Sequence, residues 1–196
     1  PQPLLKKIEL VAQAGFEGIE LWINDIYDFI GRGGEVADIE KALADQGLFV
    51  PSVIAIRQWG DMDGWEYQLV LDEARRRFAL GARLGARYIV ATPPLEEEGQ
   101  DHLPGRYKDL LQIGREEGIK PTFEYISFFK SVYNLADAWR IVQEANDPDA
   151  TLILDDLEGL PRPVLLEVDQ KHFRAFTGEQ DGRGFAVAHS FAAGPG

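Results

Sequence analysis

Two hydrophobic patterns alternate along the chain as far as about residue 158. Apolar residues that recur every three or four positions predict amphipathic helices, and short unbroken apolar runs predict strands that are buried on both faces. The predicted helices cover residues 4–14, 35–46, 65–84, 103–117 and the segment after Asn134. The predicted strands cover residues 18–23, 49–56, 88–92, 121–126 and 151–155. Strands that alternate with helices in this way are typical of βα units, which build a parallel sheet.

Residues that start or stop helices stand at the ends of these segments. Glycine ends each of the first four predicted helices, at Gly15, Gly47, Gly85 and Gly118. Glycine is favoured there because it adopts the left-handed backbone conformation without a steric cost. Asn134 suits the N-cap of the last predicted helix, with Asp137 at the third helical position. The ends of the predicted helices therefore have local chemical causes.

The alternation weakens beyond Glu158. Residues 164–168 suit a sixth strand and residues 185–188 a seventh, but no helical pattern separates them. A complete eight-stranded barrel usually takes about 250 residues, so the chain is short of one by roughly one or two βα units. It also opens without a methionine, so we expect a piece of a longer sequence. No linker or low-complexity tract divides residues 1–196, which predicts a single domain.

The composition limits the partners that the protein can have. The formal net charge is −13, whereas nucleic-acid binding relies on clustered Lys and Arg, so we expect a small-molecule partner and no nucleic acid. Apolar runs fall short of the roughly 18 residues that cross a bilayer, which predicts no membrane partner and a cytoplasmic location. The chain has no cysteine, so any metal must use oxygen or imidazole ligands.

Three carboxylates lie inside predicted strands: Glu20, Glu124 and Asp155. Strands of a parallel sheet are covered on both faces, so each carboxylate needs a hydrogen-bond partner, a counter-charge or a metal. Glu124 and Asp155 come late in their strands, and barrels assemble their active sites at that end. Two converging carboxylates repel unless a cation lies between them, which favours a divalent metal. Pairing with a buried Arg, or capping of the next helix, is the structural alternative.

Three segments together resemble the xylose isomerase-like family of sugar phosphate isomerases and epimerases. They are residues 14–22 (AGFEGIELW), 118–124 (GIKPTFE) and 148–155 (PDATLILD). The first resembles that family's first passage from helix to strand, the second its glutamate-bearing strand and the third its aspartate-bearing strand. The resemblance implies a (β/α)8 TIM barrel of the xylose isomerase-like type. The chain would hold the greater part of it, without the first and last strands.

In that family a divalent metal is held by Glu, Asp, a His or Gln, and a last Glu, each from a different strand. The resemblance therefore assigns Glu124 and Asp155 as metal ligands. The third position falls at Glu167, where the family more often has His or Gln. The last Glu belongs to a strand that the sequence pattern does not reveal. Oxygen ligands suit Mg²⁺ or Mn²⁺, and an imidazole or amide ligand widens the choice to Co²⁺ or Zn²⁺.

The resemblance also suggests residues that contact the substrate. Family members commonly have a histidine three residues after the metal-binding aspartate; Glu158 occupies that position and is the candidate acid or base, beside Glu124. Residues 174–179 resemble a family loop that borders the site, so Arg174 and Glu179 are candidate substrate-binding residues. Arg174 could hold a carboxylate or phosphate by a bidentate contact, although a surface turn explains the segment equally well. Trp22 could shape a sugar pocket by stacking, although core packing explains it equally well.

These assignments imply a metal-dependent isomerase, epimerase or dehydratase. The enzyme would remove a proton alpha to the carbonyl of a keto sugar or keto-cyclitol while the metal stabilises the developing negative charge. Isomerisation, epimerisation and dehydration all begin with this step, and the sequence does not choose among them. A homodimer is an expectation from the family alone.

Two other functions remain open from the sequence. One is a non-catalytic barrel that binds a ligand, because Glu158 replaces the usual histidine. The other is the hydrolase branch of the same superfold, which cleaves DNA at abasic sites with several zinc ions. That chemistry needs many histidine ligands and a basic groove, whereas this chain has three histidines and is acidic.

Overall fold

A computed structural model gives the architecture of the chain. It describes residues 2–95 and 100–153 in full, together with the backbone of residues 165–168, 173–176 and 186–187. The helices are α1 (Leu4–Gln13), α2 (Ile23–Gly31), α3 (Val36–Gln46), α4 (Gly64–Arg83), α5 (Leu103–Glu117) and α6 (Leu135–Ala145). The strands are β1 (Ile19–Trp22), β2 (Ser52–Ile56), β3 (Tyr88–Ala91), β4 (Lys120–Glu124), β5 (Leu152–Ile153), β6 (Leu165–Val168), β7 (Phe173–Phe176) and β8 (Ala186–Val187).

Six of these strands form one sheet in the order β5-β4-β3-β2-β1-β8, and each neighbouring pair is parallel. The chain therefore runs in the same direction through every strand from β1 to β5, with helices in the connections, as the alternating pattern predicts. Strands β6 and β7 form a separate antiparallel pair. None of the helices in the described ranges combines the length and the apolar character that spanning a bilayer requires.

The predicted helices and strands are confirmed up to residue 153, with ends that shift by a few residues. Asn134 caps α6 as predicted, because its side-chain oxygen accepts a hydrogen bond from the backbone N–H of Asp137 at 3.0 Å. Helix α2 was not predicted. Its buried residues Ile23 and Ile26 follow β1 without a break. The apolar run of the strand therefore continues into the helix and hides the point where the helical spacing begins.

Beyond residue 153 the predicted strands are found, but not in the expected arrangement. The sixth strand, β6, pairs antiparallel with β7 instead of extending the parallel sheet. The seventh predicted strand contains β8, which pairs with β1. Strand β7 was not predicted, because residues 174–179 were assigned to a loop.

The core lies between the sheet and its helices. Alternate strand residues such as Ile19, Leu21, Val53, Ile89 and Phe123 belong to one apolar cluster with the helix residues Ile8, Ile39, Phe78, Leu110 and Ile141. A smaller cluster of Ala55, Val90 and Ile153 lies apart from it. Because successive strand residues point to opposite faces, this division identifies a helix side and an inner side of the sheet.

Helix α5 packs closely against β4, the strand that ends at Glu124. An added Cβ at Gly114 would lie 2.4 Å from Cδ of Pro121 and 2.5 Å from the carbonyl oxygen of Ile119. Only glycine fits this approach, since a side chain there would push the helix off the strand. The helix therefore fixes the position of the strand that carries the candidate metal ligand.

Tyr107 of α5 joins the ends of two strands through its buried hydroxyl. The oxygen accepts a hydrogen bond from the backbone N–H of Thr151 at 3.1 Å, and it lies 2.9 Å from the Thr151 carbonyl and 3.0 Å from the Pro121 carbonyl. Burial raises the pKa of the phenol well above its ordinary value, so the hydroxyl stays a neutral donor. Tyr107 thus ties the starts of β4 and β5 together.

We expect Tyr107→Phe to lower the free energy of unfolding by about 1–3 kcal/mol, because it leaves the buried N–H of Thr151 without its acceptor. Urea unfolding measures this change, provided that the slope of the unfolding free energy against urea concentration is the same in both proteins. Tyr133→Phe is the control, since Tyr133 is 52% exposed. Equal stability of the two variants would contradict the structural role assigned to Tyr107.

Candidate functional site

Glu20 and Ser52 form a polar contact inside the sheet. Their neighbours Ile19, Leu21 and Val53 face the helices, so Glu20 and Ser52 lie on the inner side. Glu20 is only 7% exposed, and the Ser52 hydroxyl donates a hydrogen bond to its Oε1. The sequence predicted that a carboxylate in a buried strand needs such a partner, and this is confirmed. Because Ser52 is the first residue of β2, the contact lies away from the carboxyl ends of the strands.

Glu124 is the last residue of β4 and is half-buried. Its neighbour Phe123 is completely buried on the helix side, so Glu124 projects to the inner side. In the register of the sheet it stands opposite Ile153 of β5. The structure therefore places the Glu124 carboxylate at the carboxyl end of the sheet, where barrels of this kind place their chemistry.

Trp22 ends β1 at the same edge of the sheet and pairs in register with Ile54. Its side chain is half-buried, and its indole nitrogen Nε1 is shielded from solvent without a hydrogen-bond partner among the described residues. The guanidinium carbon of Arg57, just beyond β2, lies 5.7 Å from the centre of the Trp22 ring. Sequence reasoning named Trp22 and missed Arg57, because only the fold brings the two side chains together.

Hydrogen bonds and ring contacts of Trp59 hold the segments that follow β2 and β3. The indole N–H of Trp59 donates to the carbonyl of Thr92 at 2.7 Å, and the Thr92 hydroxyl donates to the carbonyl of Ile56 at 3.0 Å. Trp59 is completely buried and packs edge-to-face on Phe123, with ring centres 5.7 Å apart. These contacts join the carboxyl ends of β2 and β3 to the strand that carries Glu124.

Two predicted site residues lie in the antiparallel pair. Glu167 of β6 stands opposite Arg174 of β7 in the backbone register. The expectation of a loop at Arg174 was wrong, because this residue lies within a strand whose pairing fixes its backbone. The other predicted residues, Asp155, Glu158 and Glu179, lie outside the described residues.

The metal that the sequence leads us to expect needs several donors. Glu124 supplies a hard oxygen ligand of the kind that Mg²⁺ and Mn²⁺ prefer. Within the ranges described in full, no three Asp, Glu or His side chains come together in a way that could hold a metal ion. The donor chemistry of Glu124 thus fits the predicted site, for which the sequence also predicts Asp155, Glu167 and a last Glu that it does not locate.

The sequence model of the xylose isomerase-like TIM barrel family matches residues 8–156. The chain therefore belongs to this family, and the predicted fold class is confirmed. The match spans β1 to β5 and includes Trp22, Arg57, Glu124 and Asp155.

Individual relatives share the fold at low sequence identity. A 3-dehydroshikimate dehydratase of Pseudomonas aeruginosa is 25% identical over 208 residues, a match that covers 90% of this chain and 32% of the relative. A solved fusion of a xylose isomerase-like TIM barrel with a 4-hydroxyphenylpyruvate dioxygenase matches with a TM-score of 0.71 at 23% identity, over 79% of this chain and 25% of that one. The IolI protein, solved with a bound zinc atom, has the same TM-score at 19% identity, over 79% and 58% of the two chains. This chain thus spans about a third of the length of the dehydratase.

Replacement of Ser52 by Ala tests the contact inside the sheet. We expect the free energy of unfolding to fall by about 1.5–3 kcal/mol, because the buried Glu20 side chain loses the hydrogen bond that Ser52 donates to it. Hydrogen bonds to a carboxylate stabilise more than those between neutral groups. Thermal or urea unfolding measures the loss. Ser127→Ala is the control, since Ser127 is exposed. An unchanged midpoint for Ser52→Ala would mean that the contact contributes nothing to stability.

Proposed function

We propose that this chain is a divalent-metal-dependent dehydratase for a keto-cyclitol or keto sugar, and that the reaction begins with removal of a proton alpha to the carbonyl. The observation that carries this proposal is the inward-facing Glu124 carboxylate at the carboxyl end of β4, in a chain of the xylose isomerase-like family. Its similarity to a 3-dehydroshikimate dehydratase favours loss of water over isomerisation or epimerisation.

The proposed metal ligands are Glu124, Asp155 and Glu167. Asp155 comes two residues after Ile153, the residue that stands opposite Glu124 in the sheet. The sequence predicts a strand over residues 151–155, and in a strand residues two apart share a face, so the pattern favours an inward position for Asp155 beside Glu124. A bound divalent cation supplies the positive charge that stabilises negative charge on a carbonyl oxygen. The acidic ligand set favours Mg²⁺ or Mn²⁺, with Co²⁺ and Zn²⁺ as alternatives.

The remaining site residues would handle protons and the substrate. We assign Glu158 as the base that takes the alpha proton, since a carboxylate held near the reacting carbon can do so. The electrons of the broken C–H bond form a carbon–carbon double bond as the β-hydroxyl leaves. The hydroxyl departs as water with the proton that Glu158 has taken from the alpha carbon, so the products are one water molecule and an unsaturated carbonyl compound, and Glu158 is again a carboxylate. Trp22, Arg174 and Glu179 would orient the substrate.

Metal analysis of purified protein tests the proposed ligands. After incubation with Mn²⁺ and removal of excess, we expect wild-type protein to keep near-stoichiometric metal and both Glu124→Gln and Asp155→Asn to lose most of it. The reason is that each change removes an anionic donor while keeping the side-chain size.

Glu20→Gln is the matched control for that experiment. It replaces another inner-side carboxylate, but one placed away from the carboxyl edge, so its metal content should equal that of the wild type. Retention of full metal by Glu124→Gln would refute the assigned site. Absence of metal from the wild type would favour a ligand-binding barrel without catalysis.

The base assignment predicts a loss of rate without a loss of metal. We expect Glu158→Gln to lower kcat by about 10²–10⁴-fold, the usual contribution of a positioned acid or base. Turnover of 3-dehydroshikimate is followed by the ultraviolet absorbance of the conjugated product, and alpha-proton exchange in D₂O by NMR. Wild-type exchange without loss of water would indicate an isomerase or epimerase instead of a dehydratase.

A further inference from the structure

Arg57 differs from most of the arginines in the described ranges. Eight of them form an ion pair with Asp or Glu: Arg32, Arg75, Arg76, Arg77, Arg83, Arg106, Arg115 and Arg140. Arg57 is exposed and has no ion pair within those ranges, although the chain carries a net charge of −13. A guanidinium without an ion pair in the described part of so acidic a protein is available to an anion from solution.

The position of Arg57 links it to the candidate site. Arg57 follows directly on Ile56, the last residue of β2, and so lies at the carboxyl edge of the sheet. Its guanidinium stands over the indole of Trp22, which ends the neighbouring strand β1 and projects inward. Two strands further along, Glu124 projects inward at the same edge. A ligand at Arg57 would therefore approach the proposed metal from the same side of the sheet.

A cation–π contact with Trp22 prepares Arg57 to bind an anion. The indole face attracts the planar guanidinium and restricts its rotation, so less side-chain entropy remains to be lost on binding. The edge of the guanidinium keeps its donors free to grip a carboxylate through two parallel hydrogen bonds. In addition, Nε1 of Trp22 is a buried donor without an acceptor in the described ranges. The edge around Trp22 and Arg57 is thus rich in unused donors.

We propose that Arg57, held over Trp22, binds a carboxylate of the substrate, so that the enzyme acts on a keto acid and not on a neutral keto sugar. This inference rests on the proposed function for the reaction, but binding of the anion does not require turnover. It assigns the main recognition of the acid group to Arg57 and not to Arg174, the residue that sequence comparison favours. Trp22 is a positioning residue, which acts by holding the guanidinium.

Binding measurements on the whole chain test the proposal. Shikimate is a stable carboxylate probe, and its methyl ester is the uncharged counterpart. By titration calorimetry, we expect Arg57→Gln to weaken shikimate binding about 10- to 100-fold, the range of a charge-assisted bidentate contact. Binding of the ester should change little. Arg57→Lys should retain part of the affinity, because the lysine ammonium keeps the positive charge but lacks the paired N–H donors of the guanidinium.

Arg76→Gln is the matched control, since Arg76 is another exposed arginine, paired with Glu73 on α4. It should bind both probes as the wild type does. If wild-type protein turns over 3-dehydroshikimate, Arg57→Gln should raise KM by a similar factor and leave kcat nearly unchanged, which a merely structural role would not produce.

The outcomes separate this inference from the proposed reaction. Wild-type protein that binds shikimate through Arg57 but turns over no keto acid would support the anion site and refute the dehydratase. Equal shikimate affinities of wild type and Arg57→Gln would overturn the anion site, whatever the activity. Loss of binding in Arg174→Gln with full binding in Arg57→Gln would overturn it as well, as would a wild type that binds neither probe.

Discussion

The alternation of side chains along parallel strands is the constraint on which the rest of the structure depends. It sends Ile19, Leu21, Val53 and Phe123 into the apolar layer beneath the helices and leaves the opposite positions to Glu20, Ser52 and Glu124. Parallel pairing then brings the carboxyl ends of β1 to β5 to a single edge. A stable core and a polar edge thus follow from the same pattern, and a slip of one residue in any strand would exchange the two faces.

Packing and hydrogen bonds hold the strands of this edge in place. Tyr107 joins the starts of β4 and β5, Gly114 lets α5 lie directly on β4, and the Trp59 indole bonds to the end of β3. A metal site needs its carboxylates held at fixed separation, because their mutual repulsion would otherwise move them apart. The aromatic contacts of Trp59 and Tyr107 with Phe123 give the Glu124 strand that support.

The sequence predicted what depends on local periodicity and missed what depends on distant contacts. Amphipathic spacing and glycine stops located five helices, and the apolar runs located β1 to β5. Helix α2 escaped because its first apolar residues continue the run of β1, and β7 because its segment resembled a loop. The predicted position of Glu124 at the end of its strand is confirmed. The cation–π contact of Arg57 with Trp22 joins two strand ends, and no local sequence pattern reveals it.

We propose that Glu124 and Asp155 share one divalent cation at the carboxyl edge of the sheet. A crystal structure of the protein grown with Mn²⁺, with anomalous scattering to locate the ion, tests it most directly. The predicted result is a single strong peak between the two carboxylates, with oxygen atoms of both within about 2.0–2.6 Å of the ion, the range for hard divalent cations. A peak elsewhere, or carboxylates that point away from each other across an empty edge, would contradict the proposed metal centre.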